Sequence, residues 1–480
     1  MLSSFGLFTE PKDAPVSARR TLVTASLGTV AVLVAFTAPL ANFNQTVAGL
    51  GAGRSGGTWV LSSMSIGLGA FLLTAGRLAD DYGRRRWFVI GALVLGLSSL
   101  VGAVAGDVVT FVASRVLAGA GGAAVIAAGL GMIAESHPDP AERRRATGVW
   151  GASIGAGIAI GPLLGNYLGL LHSWRDVYVV VGLAGLALAV AGRRCPESRS
   201  KDRARLDVAG VVLMAMGTAA VIAGLTEGRG GWARTAPVLL LISGLVLLTC
   251  FVMVERRSTH PMLDLGLLRH PPFRAVNIAG LATGAGIIAL MSYVAGFVGA
   301  GLGISATTAA WLMQAWSAPS VATAVAARRL PAGWSGGSQM AVALLAIGVG
   351  QLLVLGVDTA SGPARFLPGL LLAGVATGVL NAAMGRESVA SVPPGQAGLG
   401  SGANNTARYL GSALGVTVVS VVAAPAGAVS AQGLVDGWHR AVLVTAAVSL
   451  AGAAGVALLG ERATQVPPEP VASDAPVSGA

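Results

Sequence analysis

Two short glycine patterns in this 480-residue chain have the spacing of enzyme motifs. Residues 151–155 read G-A-S-I-G, as in a turn that holds a nucleophilic serine, and residues 51–56 match the G-x-G-x-x-G of a dinucleotide-binding loop. Both motifs need a preceding β-strand, and a serine nucleophile also needs His and acid partners. Here one pattern lies inside a long apolar stretch and the other follows one, and neither an ATP-binding loop nor clustered metal ligands are evident. We therefore expect no enzyme activity, no ATP-driven pumping, no metal and no cofactor.

A charged segment between two apolar stretches is the most informative part of the chain. It reads G-R-L-A-D-D-Y-G-R-R-R over residues 76–86. Its key positions are Gly76, Asp80, Gly83, Arg84 and Arg85. The simplest interpretation is a tight, solvated turn whose arginines only set membrane topology.

The composition indicates a membrane protein. Hydrophobic residues make up 54% of the chain and charged residues 11%, and the mean hydropathy is +0.72. The net charge of +11 does not predict a nucleic-acid partner, because the basic residues form short blocks between apolar stretches instead of one solvated face. The two cysteines, Cys195 and Cys250, cannot form a disulfide framework.

About fourteen apolar stretches are long enough to cross a bilayer, which takes about 20 residues each. They cover residues 22–41, 58–78, 87–106, 108–134, 147–170, 176–193, 207–225, 236–254, 275–299, 307–327, 339–357, 366–384, 397–423 and 438–460. The split at Gly106–Asp107 and the polar tenth stretch are the least clear, so roughly twelve to fourteen spans fit the sequence.

Most lysines and arginines fall in loops on the same side as the N-terminus, and basic loops stay in the cytoplasm. We therefore expect both termini to be cytoplasmic. Only Lys12 and Lys201 are lysines, and this skew towards arginine suggests a GC-rich bacterial genome. The predicted location is a bacterial cytoplasmic (inner) membrane, with the lipid bilayer as partner and the chain as a monomer.

Charged linkers divide the chain into six helices, a helix pair and six more helices. The predicted units are a cytoplasmic segment (1–21), a six-helix bundle (22–193), a cytoplasmic linker (194–206), an inserted pair (207–254), a cytoplasmic loop (255–274), a second six-helix bundle (275–460) and a disordered cytoplasmic tail (461–480). The predicted fold class is an all-α integral membrane protein.

Segment 76–86 resembles the loop between helices 2 and 3 of the major facilitator superfamily, and the layout resembles its fourteen-span drug:proton antiporter branch. The resemblance implies two six-helix bundles plus two additional central helices. It also implies a gate, in which Asp80 meets the positive end of a helix dipole or an arginine across the two halves. That contact would hold the inward side shut while the cavity opens outward. Asp81 stands where relatives often carry a basic residue.

The fifth predicted span, 147–170, carries a series of small residues that resembles the glycine-proline antiporter motif of exporters. The series is Gly151, Gly155, Gly157, Gly161, Pro162 and Gly165. Small residues at helical spacing let backbones approach closely, and a proline adds a kink. Ordinary small-residue packing remains the alternative, and Asn166 replaces a glycine usual in the family.

Two arginines fall inside predicted spans, Arg115 in the fourth span (108–134) and Arg408 in the thirteenth (397–423). An arginine there costs roughly 2.5 to 3.5 kcal/mol on insertion scales, so it normally faces a cavity or a partner. Both segments resemble motifs of the family, although Ala118 replaces a usual glutamine. Structural alternatives stay open, since Arg115 could snorkel to the external end and Arg408 could bond neighbouring carbonyls.

One departure from the branch concerns proton coupling. Aligning on residues 50–52 places Ala35 where the branch normally carries a helix-1 aspartate, and no acidic residue falls at the centre of a predicted span. A cavity with Arg115 and Arg408 and no central acid would be electropositive, so we expect a substrate that is neutral or carries a carboxylate. Other polar side chains at similar depth could bond substrate or, more often, a neighbouring helix. They are Asn42, Asn44, Gln45, Gln314, Asn381 and Asn405.

The leading interpretation is a secondary transporter that exports small amphipathic organic compounds, such as a drug, an antibiotic or a metabolite, by alternating access with protons as the coupling ion. One alternative is an uncoupled facilitator or an importer of a neutral or anionic molecule. The alternative from another class is a membrane sensor or scaffold that transports nothing.

Overall fold

The computed structural model describes residues 16–200, 207–258, 261–331, 333–424 and 430–465. Over these residues every regular element is a helix, which is one of the two structures that can satisfy backbone hydrogen bonds within a bilayer. Of the predicted cytoplasmic segment 1–21, residues 1–15 lie outside the described residues and the rest begins the first helix. Of the predicted disordered tail 461–480, residues 461–465 continue the last helix and residues 466–480 lie outside the described residues.

The helices fall into three groups along the chain. The first group is α1 (Val16–Thr37), α2 (Pro39–Gly49), α3 (Arg54–Tyr82), α4 (Arg84–Val104), α5 (Val108–Ser136), α6 (Pro140–Leu171) and α7 (Asp176–Gly192). The second is α8 (Val208–Gly228) and α9 (Thr235–Arg257). The third is α10 (Pro271–Thr283), α11 (Ala289–Leu302), α12 (Ala306–Ala326), α13 (Gly336–Leu352), α14 (Leu367–Ala390), α15 (Ala397–Val422) and α16 (Ala431–Gln465). A π-helical segment, Gly284–Ile288, joins α10 to α11.

Ten helical stretches of the described chain are long and apolar enough to cross a membrane, and α7 and α13 are shorter apolar helices. Helix α15 is more polar, because Asn404, Asn405 and Arg408 lie along it. The chain is therefore a multi-pass membrane protein with an all-helical fold.

The boundaries of several predicted spans differ from those of the helices. The stretch 22–41 breaks after Thr37, because Pro39 lacks the N–H that would continue the helix. The uncertain split at residues 106–107 is a true boundary. There Asp107 is the N-cap of α5, and its carboxylate accepts a hydrogen bond from the backbone N–H of Thr110 at 2.9 Å.

Two large apolar clusters form the core. Buried side chains between residues 22 and 195 make most of one cluster, and buried side chains between residues 275 and 459 make the other. Tyr409 of α15 belongs to the first cluster, and Ile158 of α6 packs against both. The two clusters therefore meet along α6 and α15.

The pair α8–α9 packs against the side of the molecule where α3 and α15 lie next to each other. Ile222 and Leu225 of α8 form a small cluster with Ile66 of α3 and Ala413 of α15. Helix α9 lies outside α8, and only 17% of its apolar window is buried. Its exposed apolar face is suited to lipid.

Candidate functional site: a closed end, a central cavity and buried arginines

Asp80, near the end of α3, is fully buried against the start of α15. Its carboxylate accepts hydrogen bonds from the backbone N–H groups of Gly398 at 3.1 Å and Leu399 at 2.8 Å. N–H groups in the first turn of a helix have no partner within the helix, and the helix dipole is positive there. The carboxylate thus joins two helices that are 318 residues apart in sequence.

Arg84, at the start of α4, is 1% exposed, and each of its guanidinium nitrogens has an oxygen partner. Nε donates to the Asp80 carboxylate at 2.8 Å, Nη1 to the Glu135 carboxylate at 3.0 Å and Nη2 to the Gly395 carbonyl at 2.8 Å. Gly395 directly precedes the N-terminal end of α15. Asp80 and Arg84 therefore bind the same end of α15 with opposite charges.

Glycines let the backbones of α3 and α15 touch at this end. A methyl group on Gly76 would collide with the carbonyl of Gly398, and one on Gly402 would collide with the carbonyl of Leu72. Gly83, between α3 and α4, has a φ of 116°, which strongly favours glycine. We call residues 72–84 together with residues 395–402 the closed end.

The other charged residues of segment 76–86 make contacts within the first group of helices and the segment that follows it. Asp81 pairs with Arg77 one turn earlier in α3 at 2.8 Å. The carboxylate of Glu197 accepts the backbone N–H groups of Arg85 and Arg86 at 3.0 and 3.2 Å. These contacts fix the α3–α4 turn against the segment after α7.

Helix α6 uses its glycines on two faces. Added methyl groups on Gly157, Gly161 and Gly165 would meet α1 and the residue that follows it. Added methyl groups on Gly151 and Gly155 would instead meet α14 and α12. Backbones that approach this closely lock α6 against both halves of the chain.

A cavity lies between the two halves, beyond the closed end. Its wide part has a volume of about 650 Å³ and its narrow inner part about 50 Å³. Leu40, Pro162, Ser292 and Met313 line both parts, so they form one continuous space. The wide part reaches exposed residues of the α11–α12 turn, which we call the open end.

The cavity wall is mostly apolar. The narrow part is lined by Leu33, Phe36, Thr37, Leu40, Ile154, Ile158, Pro162, Ile288, Met291, Ser292, Met313, Trp316, Arg408 and Tyr409. Neither part is lined by an Asp or a Glu in the described chain. Among the described residues that line the cavity, Arg408 alone carries a formal charge.

Arg408 is buried in α15 with few partners. Its Nη2 lies 3.9 Å from the sulfur of Met384, and its Nε has no hydrogen-bond partner within the described residues. Opposite it, the π-helical segment brings Gly284 against the Arg408 carbonyl. Single-turn π segments occur often at functional sites. The arrangement leaves a buried guanidinium at the inner end of the cavity.

Arg115, also fully buried, lies among α1, α5 and α7 and does not line either part of the cavity. Its Nη2 donates to the carbonyl of Ala35 at 2.7 Å, and its guanidinium lies 5.5 Å from the centre of the Tyr178 ring. The backbone N–H that would normally bond Ala35 is that of residue 39, which is Pro39 and has none. Arg115 therefore supplies the donor that the proline removes.

Most of the other polar residues singled out from the sequence bond backbone carbonyls. Asn42 donates to Trp174, Gln45 to Gly169, Gln314 to Ala159 and Asn405 to Ser401. Asn381 is buried in α14, and Asn44 lines the wide part of the cavity. The structure therefore brings Asn44, Pro162 and Arg408 to the cavity wall. The bonds of Asn42, Gln45 and Gln314 reach other elements, whereas that of Asn405 stays within α15.

Sequence reasoning missed the aromatic wall beside Arg408. Phe36 and Tyr409 meet edge to face with ring centres 5.5 Å apart, and Trp316 lies in the same narrow space. The one available signal was that Tyr409 follows Arg408 directly in the sequence.

At the open end, the turn after α8 bridges α3 and α15. Arg229 donates from Nη1 to the Ser62 hydroxyl of α3 at 3.0 Å and from Nε to the Thr417 hydroxyl of α15 at 3.4 Å. Thr417 in turn donates to the Leu225 carbonyl of α8 at 3.1 Å. The inserted pair is thus fastened to both halves.

Membrane-length helices around a central cavity that is closed at one end and open at the other are the architecture of a membrane transporter. The chain belongs to the Major Facilitator Superfamily, whose family model matches residues 22–416. Membership makes it a transporter and not an enzyme.

Relatives of the chain are named for antibiotic resistance and transport. It is 32% identical over 424 residues to the puromycin resistance protein pur8 of Streptomyces alboniger, with 85% of this chain and 83% of the relative covered. It is 31% identical to a probable actinorhodin transporter of Streptomyces coelicolor, with 78% and 67% covered. The human organic anion transporter MFSD10 superposes with a TM-score of 0.65 at 19% identity over 92% of this chain and 100% of that one, a likeness of fold alone.

Proposed function

We propose that the chain exports small amphipathic organic compounds by alternating access. The observation that carries the proposal is the mostly apolar cavity between the two halves, closed where Asp80 meets α15 and open at the opposite end. A cavity accessible from one side only is one state of an alternating-access cycle. The names of the relatives, which include an antibiotic resistance protein, favour export.

The proposed architecture keeps the predicted units, with six-helix bundles at 22–193 and 275–460 and an inserted pair at 207–254, for fourteen spans in total. The two apolar clusters support the division, because each is made mainly by one of these bundles. We place the closed end and both termini in the cytoplasm, since basic loops stay on that side. The chain acts as a monomer in a bacterial inner membrane.

The proposed gate is the closed end. Asp80 and Arg84 hold α15 through charge-assisted hydrogen bonds, which are stronger than neutral ones. Gly76 and Gly83 allow the close approach and the turn, and Arg85 anchors the α3–α4 turn to Glu197. Opening this end requires breaking the bonds between Asp80 and α15.

Proton coupling is the family expectation, and one observation favours an uncoupled facilitator instead. Neither part of the cavity is lined by a carboxylate in the described chain, and Ala35 occupies the position beside Arg115 where the branch carries its acid. We put the coupled exporter first, because the relatives are named for resistance, which requires uphill export.

The test is accumulation of neutral, anionic and cationic amphipathic compounds in inside-out membrane vesicles, with and without a protonophore. Uptake that collapses with the protonophore supports a proton-driven exporter. Uptake to equilibrium that persists supports the facilitator. A chain that moves no compound of the panel, in vesicles where a known exporter works, contradicts the proposed function.

A further inference from the structure

We propose that Arg408 binds the anionic group, most simply a carboxylate, of an aromatic substrate. This inference rests on the proposed function, since it names the chemical class of the exported compounds. It goes further in separating the two arginines of the spans: Arg408 faces the substrate, and Arg115 serves the backbone of α1.

The first step concerns the partners of Arg408. A buried guanidinium is stable when its N–H groups reach oxygen atoms, and a buried cation without them carries a large desolvation cost. Arg84 shows the satisfied case, with Asp80, Glu135 and the Gly395 carbonyl around it. Arg408 has a thioether sulfur at 3.9 Å and an Nε without a partner among the described residues.

The second step concerns the access of a ligand to this charge. Arg408 lines the narrow inner part of the cavity, which continues into the wide part at the open end. A ligand group that enters can therefore reach the guanidinium. A carboxylate fits best, because two oxygens in one plane match the two parallel N–H groups of the guanidinium fork.

The third step concerns selectivity by charge. No Asp or Glu of the described chain lines the cavity, so a cationic group entering it would meet the Arg408 charge with nothing to offset the repulsion. The same charge attracts an anion, and the low dielectric of the surroundings strengthens both effects.

The fourth step concerns the body of the ligand. Phe36 and Tyr409 form an edge-to-face pair beside Arg408, and the Trp316 indole is fixed by its hydrogen bond to the Thr377 hydroxyl at 3.1 Å. Aromatic rings pack well against such a wall. The narrow part is about 50 Å³, so the anionic group enters it while the aromatic body occupies the wider space.

The experiment uses three probes of nearly equal shape: naphthaleneacetate, naphthaleneacetamide and naphthylethylamine, which are anionic, neutral and cationic. Binding is measured by titrating each probe into the purified full-length chain and following the thermal unfolding midpoint of the protein. Transport is measured separately in inside-out vesicles. The variants are Arg408→Met, Arg408→Lys and, as a matched control, Arg234→Gln, whose side chain is 53% exposed in the α8–α9 turn.

We expect the wild type to bind naphthaleneacetate more tightly than the amide and the amine least. Arg408→Met should weaken naphthaleneacetate binding by about tenfold or more and leave amide binding nearly unchanged. Arg408→Lys should be intermediate, because the ammonium keeps the charge and loses the planar fork. Arg234→Gln should match the wild type.

The outcomes separate the two proposals. If the wild type binds the three probes equally or prefers the amine, or if Arg408→Met keeps the preference for the acid, the inference is wrong and the exporter proposal stands. Binding of none of the three also overturns the inference. If Arg408-dependent binding of the acid is found and no compound of the wider panel crosses the vesicle membrane, the inference stands and the exporter proposal fails.

Discussion

The closed end and the central cavity each contain a buried arginine, and they differ in what surrounds it. Arg84 at the closed end donates to two carboxylates and a carbonyl at 2.8–3.0 Å. In the cavity, the Nη2 of Arg408 lies 3.9 Å from the Met384 sulfur, and its Nε has no hydrogen-bond partner within the described residues. The charge at the closed end is balanced inside the chain, so it holds helices together. No carboxylate of the described chain lines the cavity to balance the charge of Arg408, so that charge is available to a molecule that enters.

Arg115 is an intermediate case. It has one oxygen partner, the carbonyl of Ala35, and its Nε and Nη1 have none within the described residues. The Ala35 carbonyl has no donor from its own helix, because Pro39 lacks the backbone N–H that would bond it. The three buried arginines thus have different roles. Arg84 joins helices, Arg115 bonds the carbonyl that Pro39 leaves without a helical donor, and Arg408 faces the cavity.

The largest effect is expected for Asp80→Asn, which removes the charge at the closed end and keeps the side-chain shape. Each charge-assisted bond of this kind is worth about 1.5–3 kcal/mol, so the balance between closed and opened states should shift by roughly tenfold or more. Expression should persist while the transport rate in vesicles falls by about that factor.

Asp81→Asn is the matched control for this change. Asp81 is buried beside Asp80 and forms an ion pair with Arg77 of its own helix. Its loss should slow transport far less. Equal rates in Asp80→Asn and the wild type would show that the bonds from Asp80 to α15 do not limit the cycle.

The next effect concerns Arg115 and Pro39 and is one of stability. Arg115→Met should lower the free energy of unfolding by about 1–2 kcal/mol, because the Ala35 carbonyl loses its donor in a buried site. Pro39→Ala supplies a backbone N–H at the position that normally bonds Ala35. The double variant should therefore be more stable than the sum of the two single changes predicts.

Thermal midpoints of the purified wild type, both single variants and the double variant test this coupling. Strict additivity would contradict the assignment of Arg115 to the helix break.

The sequence predicted some of these features and not others, for physical reasons. Apolar length alone predicts most of the helices, because a span needs a continuous run of such residues. The pairing of Asp80 with a helix N-terminus was one of two alternatives, and only the fold identifies that helix as α15. Phe36 and Trp316 could not be selected, since apolar side chains that line a cavity look like those that face lipid or core. Asn42 and Gln314 bond backbone carbonyls, as polar residues in spans often do.

A smaller effect of opposite sign is expected for the stability of Arg408→Met. Replacing an unpaired buried cation by an apolar side chain of similar length removes a desolvation cost, so the thermal midpoint without ligand should stay the same or rise, by at most about 1 kcal/mol in stability. The comparison with Arg115→Met, measured under the same conditions, is the direct test. A marked fall in the midpoint would mean that Arg408 supports the fold as Arg84 does.

The smallest effect is expected at the open end, where Arg229 bridges the hydroxyls of Ser62 and Thr417. Burial lowers the pKa of Arg229 to about 10, so it remains charged at neutral pH. Its partners are neutral hydroxyls and it is partly exposed, so the bridge is worth less than about 1 kcal/mol. Arg229→Ala should therefore change the transport rate by roughly twofold to fivefold, because α3 and α15 lose a connection on the side opposite to Asp80.

The control is Arg234→Ala, which removes a 3.5 Å ion pair with Glu227 in the same turn. If both variants transport alike, the inserted pair fastens to the open end through its apolar contacts, and the difference between the two ends of the α3–α15 contact rests on Asp80 and Arg84 alone.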